Sequence, residues 1–416
     1  MRSDSLALAA GATAVVTATN AVHPVARTGP LSLGAFAFGL PASELPVHTA
    51  LVQALTQVAL ARHGALDSTR GRLGAALTVG SWLGLAQAYR SGDRASDQLE
   101  RALVDALGPR YRERMAAPLR IEPQQDWTTR RLLLPNFAVR RRYRVATNLR
   151  YGEHGRRNVL DVWRRADLAS DARAPVVVQI HGGGWSSGMK EGQGEPLMAH
   201  LAQRGWVCVA PNYRLSPKAT WPDHIVDIKR ALAWVKTFIA GYGGDPDFVV
   251  VTGGSAGGHL AAVAALTPGR KDWQPGFEDV DTSVAAAVPC YGVYDFLNRH
   301  GSGRADSNAW LEKTLFKTLA TDDRTRWDEA SPMSQVNAQA PPFFVLHGTN
   351  DTLSPATEAR DFVRDLRAVS NQPVVFGELV GAQHAFDTFP SVRAHHMVHA
   401  VERFLGVVRA EAALPR

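Results

Sequence analysis

The 416-residue chain has very little cysteine and, over its first fifth, very little charge. Its two cysteines, Cys208 and Cys290, cannot build a disulfide framework, and no CxxC or Cys/His zinc spacing accompanies them. There is no internal repeat, no G-x-G-x-x-G strand–helix unit and no glycine-rich loop ending in Gly-Lys-Ser/Thr, so neither a dinucleotide nor a nucleotide site is indicated. Before Arg90 the only charged residues are Arg2, Asp4, Arg27, Glu44, Arg62, Asp67, Arg70 and Arg72, in a chain with 46 Lys+Arg and 39 Asp+Glu. The net charge of +7 and the 20% charged fraction therefore average two unlike regions. With 45% hydrophobic residues the composition is globular, which excludes a mainly disordered or fibrous chain.

Four apolar runs fill the charge-poor fifth: Ser5–Ala26, Thr28–Ser43, Leu45–Ala61 and Leu73–Tyr89. Each lies near or below the roughly 20 apolar residues that span a bilayer, and Ala, Gly and Thr dilute them all. A cleaved signal peptide is not expected, because Arg2 alone supplies the positive end, Asp4 opposes it and no sharp A-x-A site comes after. Two readings remain, a helical cap on a soluble domain and membrane attachment by short spans or interfacial helices. Four consecutive charge-poor segments favour attachment, with a soluble cytoplasmic protein as the alternative.

Charge returns as arginine. Residues 110–150 carry eleven, from Arg110 to Arg150, against Glu113, Glu122 and Asp126. No nucleic-acid motif accompanies them and no nucleic-acid partner is expected. Arginine just after the last apolar run suits anionic lipid headgroups, and a spanning Leu73–Tyr89 would put the C-terminal region on the cytoplasmic side. The spacing predicts a helical N-terminal region (1–110), an arginine-rich connector (111–144) and a catalytic domain (145–410).

From about Val139 short β-branched runs alternate with helical patterns. The expected strands are Arg142–Asn148, Asn158–Trp163, Val176–His181, Val207–Asn212, Phe248–Thr252, Val284–Tyr291, Phe343–His347 and Val374–Leu379. Runs such as VVVQI are apolar on both faces, as in a mostly parallel eight-stranded sheet covered by helices. The first two are more polar and suit an antiparallel edge. Residues 292–340 interrupt the alternation, and Asn308–Ala320 reads as a helix with Trp310, Leu311, Leu315 and Leu319 on one face. This insertion is either half of a lid or an ordinary surface helix.

G-x-S-x-G occurs twice, around Ser255 and around Ser186. Ser255 comes after the strand FVVVT and precedes the helix AGGHLAAVAAL, the strand–turn–helix context that exposes a nucleophilic serine. Ser186 leads into a glycine-rich loop. The run His181-Gly182-Gly183-Gly184-Trp185 ends another strand. Its unshielded N–H groups suit an oxyanion, which makes Gly183, Gly184 and Ala256 the expected donors and His181 a loop-stabilising residue. A serine needs a base and the base an orienting carboxylate. Asp351 and His384 each stand just past a strand end, in the order serine, acid, histidine. Asp295 is a competing acid and His347 a packed core residue. His395 and His399 could share a face of the last helix, but no carboxylate partner stands beside them, so neither a metal nor a cofactor is expected.

HGGGW, GGSAGGHLAA, YGVYDF, HGTND and HAF, in this order, resemble the α/β-hydrolase esterases and lipases of the hormone-sensitive-lipase-like group. The likeness is to bacterial members with a hydrophobic N-terminal extension and covers about residues 145–410. It implies Ser255, Asp351 and His384 as the triad, Gly183, Gly184 and Ala256 as the oxyanion hole, and small-molecule or lipid esters as substrates. One departure stands out: many members have Asp before the nucleophile, where this chain has Gly254. Amidase, formamidase or peptidase chemistry with the same triad, and a catalytically silent binding scaffold, remain the alternatives.

Overall fold

The computed structural model describes residues 2–115 and 137–414. Most of the expected arginine-rich connector therefore lies outside the described residues. Each of the four apolar runs forms a helix: α1 (Ser3–Val22), α2 (Leu31–Glu44), α3 (Pro46–Arg62) and α4 (Thr69–Asp93). Pro46 opens α3, where its fixed φ suits a first turn, and Ser68 caps α4 by accepting a hydrogen bond from the Gly71 N–H at 3.1 Å.

α1 and α4 meet through small residues. Ala7, Gly11, Ala14 and Ala18 are buried on α1, and Gly74, Thr78 and Ser81 on α4. A Cβ added to Gly11 would collide with the Gly74 backbone, and one added to Gly74 with the Ala7 carbonyl, so glycine sets the separation of the two helices.

The next helix, α5 (Ala95–Leu107), behaves differently. Leu99, Leu103 and Leu107 recur at every fourth residue, so one face is apolar and buried. That face packs on the last strand, where Gly377 leaves the room: a Cβ there would stand 2.9 Å from Leu99 Cδ2. The stretch 1–110 thus holds four helices of one kind and a fifth that belongs to the layer over the sheet.

Eight strands come next: β1 (Arg144–Arg150), β2 (Val159–Trp163), β3 (Ala174–Ile180), β4 (Val207–Pro211), β5 (Gly244–Gly254), β6 (Ala286–Cys290), β7 (Phe343–Gly348) and β8 (Val374–Leu379). Their order is β1-β2-β4-β3-β5-β6-β7-β8. The β1–β2 and β2–β4 pairs are antiparallel and the other five are parallel, with the two more polar strands at one side as the sequence predicts.

Five longer helices cover the sheet: α6 (Glu195–Gln203), α7 (Asp223–Phe238), α8 (Ala256–Leu266), α9 (Ala356–Val369) and α10 (Val392–Ala412). α7, α8 and α9 contribute to one apolar core, and α5, α6 and α10 to the other. This is the α/β-hydrolase fold. Strands β5 and β7 and the segment after β8 bring Ser255, Asp351 and His384 to the carboxyl edge of the sheet, where open α/β sheets bind ligands.

The expected helix over Asn308–Ala320 forms only in part. An α-turn over Asn308–Leu311 widens into a π-turn over Glu312–Phe316, which stops at Lys317 with φ +61°. The wide turn rotates the register. Leu311 and Leu315 are buried, and Phe316 stacks on Trp327 at 4.2 Å, while Trp310 and Leu319 stay exposed.

α2 lies across the catalytic loops. Its last residue, Glu44, forms a fully buried ion pair with Arg393 at 3.0 Å and accepts a hydrogen bond from Ser391 Oγ at 2.9 Å. Thr352 donates to the Ser32 carbonyl at 3.0 Å. From the link between α1 and α2, Arg27 reaches the Thr349 carbonyl at 2.8 Å, and Asn350 donates to the last carbonyls of α1.

Candidate active site

Ser255 sits at the turn from β5 into α8 with φ +58° and ψ −123°, a strained conformation for a residue with a side chain. Glycines on both sides make the turn sterically feasible. A Cβ on Gly253 or Gly257 would run into the Ile180 carbonyl on the neighbouring strand. The Ser255 N–H donates to the Cys290 carbonyl at 3.0 Å, which fixes the turn to β6. Ser186 has none of this. It lies in a tight turn whose N–H donates to the Gly183 carbonyl at 3.1 Å.

The glycine loop after β3 comes up against the serine. A Cβ on Gly182 would be 3.1 Å from the Ser255 Cβ. Gly183 and Gly184 have φ +119° and +56°. The Gly182 N–H is taken by Gln193 Oε1 at 2.7 Å, a loop-holding role that the sequence did not suggest. Among the described residues no acceptor is paired with the N–H of Gly183, Gly184 or Ala256. Unpaired backbone N–H groups on the two segments that meet at Ser255 are the kind of donor a developing oxyanion requires. His181 lies buried beneath the loop, stacked on Tyr213 at 4.3 Å, and burial pushes its pKa down to about 4. It therefore stays a neutral packing group.

His384 and Asp351 are hydrogen-bonded, Nδ1 to Oδ2, at 2.7 Å. Asp351 is fully buried. Its Oδ1 accepts the N–H groups of Leu353 and Ser354, both at 2.8 Å, and His347 Nε2 stands 3.3 Å from Oδ2. Burial raises the proton affinity of this carboxyl, but the charge of His384 and hydrogen bonds from His347 and His384 outweigh it and hold the group well below the usual carboxylate range. The acid is therefore an anion whose bond keeps a proton on His384 Nδ1 and leaves Nε2 without a partner among the described residues. His384 Nε2 and Ser255 Oγ are not hydrogen-bonded to each other, a contact that in free enzymes often closes only with substrate. Asp295, the competing acid, is spent locally, paired with Arg299 at 3.1 Å.

Three aromatic or acidic groups complete the site, and sequence reasoning missed them. The Tyr291 ring packs on His384 at 4.7 Å, and its hydroxyl donates to Asp387. Burial raises the pKa of Asp387. Phe36 of α2 meets His384 edge-on at 5.8 Å. Across the opening, the Trp310 ring would lie 3.4 Å from a Cβ on Gly184, so the 292–340 segment reaches the oxyanion loop.

A second cluster lies on α6 and α10. His200 Nε2 is 2.7 Å and His399 Nδ1 3.7 Å from Glu402 Oε2, and one ligand atom from each residue falls within 4.8 Å of the others. The carboxylate partner that the sequence did not reveal for His399 is Glu402, less than one turn further on. These residues have metal-ligand chemistry, on elements that carry none of the catalytic candidates.

The BD-FAE family model matches residues 160–366. The chain is 47% identical over 412 residues to the probable carboxylic ester hydrolase LipM of Mycobacterium tuberculosis, covering 97% of this chain and 93% of that protein. It is 45% identical over 320 residues to the esterase LipQ of the same organism, 76% of each chain. Among solved structures, the thermophilic esterase Est2 of the Planctomycetes species Thermogutta terrifontis superposes with a TM-score of 0.50 at 28% identity, over 61% of this chain and 86% of that one. The LipM likeness runs through the N-terminal helices as well as the catalytic region. The chain belongs to the BD-FAE family of α/β-hydrolases and is a carboxylic ester hydrolase.

Proposed function

We propose that Ser255 is the nucleophile, His384 the general base and Asp351 its orienting anion, with the N–H groups of Gly183, Gly184 and Ala256 as the oxyanion hole. The observation that carries this reading is the 2.7 Å His384–Asp351 hydrogen bond at the same sheet edge as a strained serine turn, against which the glycine loop after β3 packs. His384 Nε2 takes the Ser255 proton as Oγ bonds to the ester carbonyl carbon. The three N–H groups hold the oxyanion. As the C–O bond breaks, His384 returns the proton to the departing alcohol, leaving an acyl-serine. A water then attacks, His384 accepts its proton, and the acid and free serine are released.

Within the α/β-hydrolases we place the chain in the hormone-sensitive-lipase-like group on its HGGGW, GGSAGGHLAA and HAF motifs. Lipid esters are the substrate class this reading favours, because α2, which touches His384 through Phe36, also exposes Leu31, Leu33 and Phe38 beside the site. The same apolar surface argues for an enzyme attached to a membrane.

Hydrolysis of p-nitrophenyl acyl esters tests the assignment. Ser255→Ala should lower kcat by roughly 10⁴–10⁶ and abolish labelling by a fluorophosphonate, whereas Ser186→Ala should stay within a few-fold of the parent. Wild-type turnover by Ser255→Ala would overturn it.

A further inference from the structure

Among the described residues, most of the large apolar side chains that are exposed lie within residues 1–89. On α3 these are Val47, Leu51, Val52, Leu55 and Val58. On α4 they are Leu73, Val79, Leu83 and Tyr89, with Leu83 79% exposed, and on α1 Leu6, Val16 and Val22. In a water-soluble helical bundle such residues form the core and polar ones face out. Here the arrangement is reversed.

The interior of α1, α3 and α4 is small and polar. Beyond the glycine and alanine contacts of α1 with α4, Gln57 of α3 donates to Thr78 Oγ1 at 2.8 Å and to the Ala7 carbonyl at 3.2 Å. Gln53 Oε1 accepts from Trp82 Nε1 at 3.1 Å and from Ser81 Oγ at 3.4 Å. Small residues at helix contacts and side-chain hydrogen bonds between helices are how helices associate where the solvent is itself apolar.

Charge is distributed to match. α1 and α4 run side by side in the same direction, with Ala7 beside Gly74 and Ala18 beside Gly84, and α3 runs back between their ends. Arg2, Asp4, Arg62, Asp67, Arg70 and Arg72 then gather at one end of the bundle, where Ser3 Oγ also donates to the His63 carbonyl at 3.0 Å. Arg27, Glu44 and Arg90 lie at the other end, which docks on the catalytic domain through the Ser91–Val380 contact and the Glu44–Arg393 pair. Between the two ends α1, α3 and α4 carry no charged residue. α1 is 20 residues and α3 17 residues long. At 1.5 Å per residue these measure about 30 Å and about 25 Å, the first equal to a hydrocarbon core of about 30 Å and the second about 5 Å short of it.

We infer that α1, α3 and α4 cross a lipid bilayer as one bundle, and that α2 lies at headgroup level as a wall of the catalytic opening. The crossing stands on packing and charge alone. The seating of the opening rests also on the assignment of Ser255 and His384. An ester with its acyl chains in the bilayer then reaches Ser255 without leaving the membrane surface.

The test uses the full chain expressed in cells, with alkaline carbonate extraction of the membranes. The protein should stay in the pellet. Leu55→Arg with Leu83→Arg should move it several-fold toward the supernatant, because an arginine is tolerated on a watered helix face and not in hydrocarbon. Leu319→Arg, on an exposed residue of the catalytic domain, should change nothing. Fluorophosphonate labelling of Ser255 in every sample reports folding and the catalytic assignment separately. Quantitative release of the labelled parent by carbonate would overturn the crossing, and release as a discrete dimer would assign the apolar face to a second copy of the chain.

Discussion

Gly254 stands where many of the esterases that the motifs resemble have an aspartate, and the structure shows what occupies that space. The space an aspartate side chain would need there is filled by the Tyr291 hydroxyl, which is bonded to Asp387. The carboxylate stands instead at position 387, reached through the Tyr291 hydroxyl. Gly254→Asp should therefore push Tyr291 off His384 and lower kcat at least tenfold, while Gly254→Ala, also short of room, should be less severe. Tyr291→Phe leaves Asp387 buried without its hydroxyl partner and should cost about 1.5–3 kcal/mol of stability in urea unfolding. Asp351→Asn should lower kcat by about 10⁴, since the amide cannot hold the imidazolium that forms in the transition state.

At the scale of elements, two buried carboxylates set how the pieces hold together. Glu44 ties α2 to the start of α10 through a fully buried pair. Glu44→Ala leaves Arg393 buried and uncompensated and should cost about 3–5 kcal/mol, whereas Glu44→Leu combined with Arg393→Met should recover most of it. Glu358 of α9 accepts the N–H groups of Tyr294 and Asp295, the latter at 3.1 Å, and so pins the loop after β6. Burial raises its pKa to about 7 from an ordinary 4.5. The folded state then binds the extra proton between those values, so stability is greatest below about pH 4.5 for this group and declines as pH rises to about 7. Glu358→Gln should flatten that part of the melting-temperature profile relative to the parent. A parallel pair of profiles would show that Glu358 is not the group responsible.

For the whole molecule, the catalytic half was legible because its signals are local. Ser255, Asp351 and His384 each stand just past a strand end, and the parallel strands are short apolar runs. Ser255 separates from Ser186 because a helical run, AGGHLAAVAAL, comes directly after it. The rest depends on contacts that sequence spacing does not encode. Tyr291 and Asp387 meet across 96 positions, Phe36 reaches His384 from another region, and His200 joins His399 from a different helix. The π-turn at Glu312–Phe316 was unreadable because the pattern of Leu311 and Leu315 fits an ordinary helix equally well. The four N-terminal runs were visible as helices-to-be, but which faces they turn inward was not, since Ala, Gly and Leu are all apolar by composition.

Phe36 brings the N-terminal region into contact with His384. The residue is held edge-on to His384 by a helix that Glu44, Thr352 and Arg27 fasten at several points. Proteolytic shedding between α4 and α5 would therefore not liberate a working enzyme into solution. It would strip one wall from His384 and open that side of the proposed site to bulk water, so that release and silencing become the same event.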